Sequence, residues 1–267
     1  RPGKKYGELS NEAKIKFHEV LITIFSSQGY LKTTSVMQLD DMLNARIDDA
    51  IKKKLIKEEF IPRIKALDWD YDNYFISIWG VPNMKNAWSL KFEGHHLSIN
   101  LTIIEDKVSF TPMFLGADPA LMTSTKHVGL RVLSKEEDYG IKLINSFDES
   151  QQKTATLSQE VPKDIITSPD NPNRITTYYG IQGKELNLNQ KEILIQLIRE
   201  YIGNLENQKA NEFLSKIKKS GIDNIYFAWI GSYERNSPHY YIINGPDFIS
   251  NHPRMMRVVI RSDLQVL

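Results

Sequence analysis

The chain contains no cysteine among its 267 residues. Disulfides, thiol nucleophiles and thiolate metal sites are therefore excluded. Histidine is almost as scarce, with six in all. Any metal site or neutral-pH proton-transfer site must draw on that short list. No apolar run approaches the roughly 18 residues that a membrane span needs. The longest, Val20-Leu21-Ile22-Thr23-Ile24-Phe25, falls within an amphipathic pattern. Charge of one sign is missing too: 34 basic residues face 33 acidic ones, for a net charge of +1. No basic stripe is evident, so nucleic acid is not an expected partner. Lys52-Lys53-Lys54, with Lys57-Glu58-Glu59 close behind, reads as a solvated helix face. The chain also lacks an HExxH zinc motif, a Gly-x-Ser-x-Gly elbow, a phosphate loop and a dinucleotide fingerprint.

What is present suits a globular core: 41% of residues are hydrophobic and 25% charged. The N-terminal third reads as helical. Ser10 is placed as an N-cap, and Ile15, Val20, Ile24 and Phe25 follow at near-helical spacing. Gly29 is expected to end this helix. Helical patterns over Thr33–Ala45 and Ile47–Ile64 come next. The pattern then turns to strands: Tyr74–Trp79, a long and bent Trp88–Ile104, and Val108–Phe114 with Pro112 at its edge or end. These read as an antiparallel meander. Helices resume at Ser134-Lys135-Glu136-Glu137, a capping-box pattern. Residues 161–186, rich in Pro, Asn, Asp and Thr, read as a long loop. Two helices, Asn189–Gly203 and Glu206–Lys219, precede a hairpin of Ile225–Ile230 and His239–Ile243. Met256–Ile260 reads as a last strand. Helices and strands fall in blocks, which predicts an α+β fold. The expected architecture is an antiparallel sheet, meander plus hairpin, flanked by an N-terminal helical segment and a second helical block. The 267 residues are read as one domain, with residues 1–67 packed on a body of residues 68–267.

Gly94-His95-His96 sits inside the Trp88–Ile104 stretch. Before Gly94 the apolar residues are even-numbered: Trp88, Leu90 and Phe92. After it they are odd-numbered: Leu97, Ile99, Leu101 and Ile103. Side chains alternate faces along a strand, so the core face changes parity at Gly94, and a β-bulge there is the simplest device. His95 then shares the core side with Leu97 and Ile99, and His96 the other side with Ser98 and Asn100. One of the pair, with partners among Glu93, His239 and His252, could hold a divalent metal such as zinc or iron and leave a position open. A metal-free form uses a histidine as general base, oriented by a carboxylate. A purely structural pair, one histidine buried and one on the exposed sheet face, is the competing reading.

Two other stretches carry less. Phe227–Ser232 with Pro238–Pro246 reads as an aromatic hairpin, in which His239 and Tyr241 share a face. Thr111–Pro119 reads as a strand exit and a glycine-hinged turn, with Asp118 a turn residue rather than a catalytic acid.

Several blocks together resemble the bacterial domain-of-unknown-function family numbered 3500. They are Glu93–Asn100, Thr111–Pro119, Gly129–Leu133 with Glu136 and Glu137, Gln151-Gln152, Phe227–Gly231, His239–Ile242 and Gly245-Pro246. The matching blocks run from Gly7 to Arg261. The resemblance brings no established activity. It implies an exported protein, periplasmic or extracellular, whose signal segment is not in this chain. It places His95, His96, His252 and Tyr241 on motif positions. Asn251-His252-Pro253-Arg254 keeps one histidine of the family's Asn-His-x-His element and lacks the second, so the chain resembles a trimmed or divergent member.

The expectation is therefore an exported bacterial protein with a histidine site, acting on a small molecule and using a divalent metal. Its site residues are His95, His96, Glu93 and Tyr241 in catalysis. The ligands are His95, His96 and His252, with His239 in reserve. The alternative is a non-catalytic ligand-binding or structural protein, with Trp79, Trp88, Trp229 and Tyr241 lining an aromatic pocket.

Overall fold

A computed structural model describes residues 1–105, 107–110, 113–161, 177–235 and 237–246. The fold is α+β, as its block pattern predicts. Among the described residues the chain divides into two compact units, residues 1–132 and residues 133–246.

The first unit opens with a two-residue strand, β1 (Lys4–Lys5), and two helices, α1 (Asn11–Ile24) and α2 (Ser27–Lys52). Ser10 caps α1 as expected, its hydroxyl accepting from Ala13 N–H at 3.2 Å. Gly29 does not end that helix. Phe25 turns extended after Ile24, and Ser26 starts α2 by accepting from Gly29 N–H at 3.1 Å. One capped serine thus outweighs the glycine signal. The two helical patterns expected over 33–64 are one continuous helix to Lys52, followed by the short α3 (Ile61–Lys65).

Five further strands build the sheet: β2 (Phe75–Trp79), β3 (Trp88–Glu93), β4 (Leu97–Ile104), β5 (Lys107–Ser109) and β6 (Met113–Leu115). Their order is β1-β2-β3-β4-β5, with β6 on the same edge of β4 as β5 and further along it. All pairings are antiparallel. Phe92 faces Ile99 and Leu90 faces Leu101 across β3–β4. These four are buried and form the core face. Phe17 of α1 meets Phe92 edge-on, with ring centroids 4.9 Å apart. Each such buried side chain stabilises the fold by roughly 1.5–3 kcal/mol.

The expected bent strand is therefore a hairpin. Its register pairs each even residue of β3 with an odd one of β4, which moves the apolar parity without a bulge. Gly94 N–H donates to the Leu97 carbonyl at 2.8 Å and closes the turn. His95 and His96 are turn residues, not strand residues on opposite faces.

The second unit holds α4 (Ser134–Asn145), α5 (Glu149–Ala155), β7 (Thr156–Ser158), β8 (Ile181–Gln182), α6 (Leu188–Ile202), α7 (Asn207–Ser220), β9 (Tyr226–Gly231) and β10 (His239–Asn244). The β9–β10 hairpin is antiparallel. The other edge of β9 is shared by the antiparallel β8 and the parallel β7. The expected capping box at Ser134 does not form: Leu133 occupies the N-cap position, with no side-chain hydrogen bond. Boxes form instead at Asp148 and Asn187. Their Gln151 and Gln190 amides exchange hydrogen bonds at 2.8 and 3.1 Å, tying the starts of α5 and α6 together. Leu143, Leu194, Leu197, Phe227 and Trp229 centre this unit's core. Most of the expected 161–186 loop, and the whole Met256–Ile260 strand, lie outside the described residues.

Candidate metal centre

The β3–β4 turn brings both histidine rings to one place. Their centroids are 3.8 Å apart. A tight turn lets successive side chains converge where a strand would separate them. The third member, Asp40, comes from α2. Thr33, Val36, Met37, Asp40, Leu43 and Ile47 form the buried stripe of that helix. Asp40 occupies a position that the 3.6-residue period assigns to an apolar side chain. A carboxylate buried to 1% exposure needs partners. Its Oδ1 lies 2.9 Å from His95 Nδ1, and its Oδ2 accepts from the Tyr74 hydroxyl at 2.7 Å. One ligand atom from each of Asp40, His95 and His96 falls within 4.8 Å of the others.

The surroundings fix these groups. Trp69 stacks on His95 at 5.0 Å between centroids and 16° between planes. Burial, with Asp40 adding, pushes the Tyr74 phenol up, so it stays protonated and keeps donating. Burial pushes His96 down to about 4; His95 acts in the same direction and Asp40 against it. At neutral pH His96 is an uncharged imidazole with a lone pair to offer. The glycines make room for the contacts. A Cβ on Gly94 would overlap the Tyr74 ring. One on Gly116 would stand 3.0 Å from His96 Cδ2. Gly116 N–H also donates to the His96 carbonyl at 2.7 Å, which ties the β6 exit to the turn.

Two residues beyond Gly116 lies Asp118, 7% exposed. Burial pushes its carboxyl up, Asp40 adding to this, while His95 and Arg46 pull it down. The expected turn residue therefore lies in the electrostatic field of the cluster.

The other expected site residues are elsewhere. Glu93 does not orient a histidine: its Oε2 pairs with Lys91 at 2.8 Å, and its buried Oε1 has no hydrogen-bond partner among the described residues. Asp40 holds His95 instead. Tyr241 is buried in the second unit, where its hydroxyl bonds that of Tyr201 and donates to the Glu136 carbonyl at 3.1 Å. His239 belongs to the same unit. Its Nδ1–H donates to the Ser237 carbonyl at 2.9 Å, and its ring stacks on Trp229 at 5.0 Å. His18 bridges the hydroxyls of Tyr6 and Tyr30 at 2.9 and 3.0 Å. His252 lies outside the described residues. Sequence reasoning missed Asp40, Tyr74 and Trp69. Asp40 had a readable signal, as the one acidic residue in an otherwise core-facing helical stripe.

Two histidines and a carboxylate, carried by a helix and a hairpin turn of an α+β unit, define a small preorganised donor set. The family model described as "Protein of unknown function (DUF3500)" matches residues 1–259, and the chain belongs to that family. No curated protein and no solved structure matches it. No helix among the described residues is long and apolar enough to cross a membrane.

Proposed function

We propose that the first unit binds one divalent transition-metal ion through Asp40, His95 and His96 and acts as a metal-dependent enzyme on a small molecule. The observation that carries this reading is the convergence of one donor atom from each residue within 4.8 Å. Two histidines and one carboxylate leave coordination positions open, which suits catalytic zinc or non-haem iron. A metal held at about 2.0–2.2 Å keeps neighbouring donors roughly 3–3.5 Å apart, and Asp40 Oδ1 and His95 Nδ1 already stand 2.9 Å apart. Tyr74 supplies the outer hydrogen bond that orients a ligating carboxylate. Export to the periplasm or the medium belongs to the same reading and is supported by the family resemblance alone.

The test is elemental analysis of protein purified without a His tag, before and after incubation with Zn²⁺ or Fe²⁺ and chelation. One equivalent of metal in the wild type, lost in Asp40→Ala and His96→Ala, is expected. No stoichiometric metal and no change in melting temperature on chelation would overturn it. That outcome would leave a metal-free general base, for which the 2.9 Å Asp40–His95 contact is the supporting observation. The aromatic-pocket alternative is weakened by burial. Trp229 is 0% exposed and Tyr241 3%, so neither offers a ring face to a ligand, whereas Trp79 is 50% exposed and Trp88 half-buried.

A further inference from the structure

We propose that the exposed basic lobe at the end of α2 and along α3 is a docking surface for an anionic lipid bilayer. Such docking goes beyond the metal reading and does not depend on it.

Two properties meet in residues 52–67. The first is charge. Lys52, Lys53, Lys54, Lys57, Arg63 and Lys65 stand against Glu58 and Glu59, a net of +4 in a chain whose whole net charge is +1. All six cations are exposed. Lys53 pairs with Asp49 at 2.7 Å, and none of the other five has an ion pair among the described residues. The lysine run is not the helix face that its sequence suggests. Lys52 ends α2, Lys53 is its C-cap, and Lys54 takes a left-handed φ of 55°, so the three follow the chain round a turn.

The second property is apolar exposure. Ile56 is buried with Leu43, Ile47 and Ala50, and Ile61, Ile64 and Trp69 pack against that cluster. Leu55, Phe60 and Leu67 are left outside it, at 72%, 47% and 49% exposure. Ala66 N–H donates to the Pro62 carbonyl and Leu67 N–H to the Ile64 carbonyl, which carries the helical turn past Lys65. Phe60 and Leu67, seven residues apart, therefore share one side of it. Each property alone is ordinary, since surface lysines are solvated and single exposed leucines are common. Together they select a partner. A polyanion uses the cations and gains little from two leucines among them. An anionic bilayer takes both, with cations at the headgroups and leucine and phenylalanine at the acyl boundary. A cluster of roughly four to eight Lys and Arg on such a segment suits anionic lipid. Trp69 joins the lobe to the metal centre, because it packs on the lobe's core and stacks on His95.

The test is co-sedimentation of the full chain with vesicles of phosphatidylcholine, alone or mixed with phosphatidylglycerol, in chelator so that no metal contributes. Wild type is expected to bind the mixed vesicles and not the neutral ones. Salt should release it between about 0.15 and 1 M, as the screening length falls from about 8 to about 3 Å. Lys54→Gln and Lys57→Gln should each weaken binding about fivefold, the contribution of one cation at an anionic surface. Leu55→Ser combined with Phe60→Ser should weaken it about tenfold or more, through lost apolar burial. Lys218→Gln, at an exposed lysine of α7, should leave it unchanged. No binding to the mixed vesicles, or equal binding to both kinds, would overturn the proposal. So would weakening by the lysine changes with none by the serine changes, the mark of a partner held by charge alone, such as nucleic acid or an acidic protein. Circular dichroism on each variant establishes that it is folded. Metal uptake is read separately, so either reading can fail without the other.

Discussion

The Tyr74 hydroxyl donates to Asp40 Oδ2 at 2.7 Å, and so fixes the carboxylate whose other oxygen meets His95. The bond joins the entry of the sheet to the middle of a helix 34 residues earlier in the chain. It satisfies one face of a buried charge and aims the other at the histidines. Tyr74→Phe keeps the ring and removes only the donor. Metal affinity should fall roughly ten- to hundred-fold, as it does when outer-shell partners of ligands are lost. Competition with a chromophoric chelator would measure it. An unchanged affinity would mean that Tyr74 supports the fold and not the centre.

Gly94 should tolerate no side chain. A Cβ there would overlap the Tyr74 ring, which is itself 0% exposed and cannot swing aside cheaply. Gly94→Ala should therefore destabilise the first unit by about 1–3 kcal/mol through overpacking. It should weaken metal binding as well, because any relief moves Tyr74 or the turn. Urea denaturation together with metal titration reads both effects. A variant as stable as wild type would show that the turn adapts.

His96 makes stability depend on pH. Its folded-state pKa is pushed down to about 4, mainly by burial, against an ordinary value near 6.5. Between the two, the unfolded chain holds the proton and the folded chain does not. Stability from this group is complete above about pH 6.5 and is lost as the pH falls toward about 4. The slope from one such group is at most about 1.4 kcal/mol per pH unit. His18, also lowered by burial, slopes the same way, so the informative quantity is a difference. Urea midpoints of metal-free wild type and His96→Gln across this range should diverge as the pH rises. Parallel curves would assign the dependence to other groups.

Tyr241 should behave as a core residue. Burial pushes its phenol well up, so it stays protonated, and its hydroxyl bonds Tyr201 and the Glu136 carbonyl. A Cβ on Gly140 would fall 2.7 Å from its ring. Tyr241→Phe should cost about 1–2 kcal/mol, the consequence of unpairing buried polar groups. Metal stoichiometry at Asp40, His95 and His96 should stay at the wild-type value. A folded variant that lost metal would restore Tyr241 to the site.

Much of the fold is legible from local pattern. The antiparallel meander, the β9–β10 hairpin and helices α6 and α7 follow from alternation and 3.6-residue periodicity. Ser10 announces its helix through its own chemistry. Where expectation and fold part, two local signals compete and contacts elsewhere decide. At Ser26 a cap outweighs Gly29. At Ser134 the box pattern is present, but the helix begins without using it.

The sequence by itself determined how few groups could carry chemistry. With no cysteine and six histidines, the adjacent pair in Gly94-His95-His96 stands out from composition and spacing alone. It also determined that the apolar parity changes at Gly94. Only the tertiary structure decided what that change is, because a bulge and a hairpin with an odd register sum leave the same local pattern. The Phe92–Ile99 pairing chose the hairpin, and with it the convergence of the two rings. Asp40 and Tyr74 were likewise decided in three dimensions. Periodicity reports which side of an element is buried, but not which group from a distant segment it meets there.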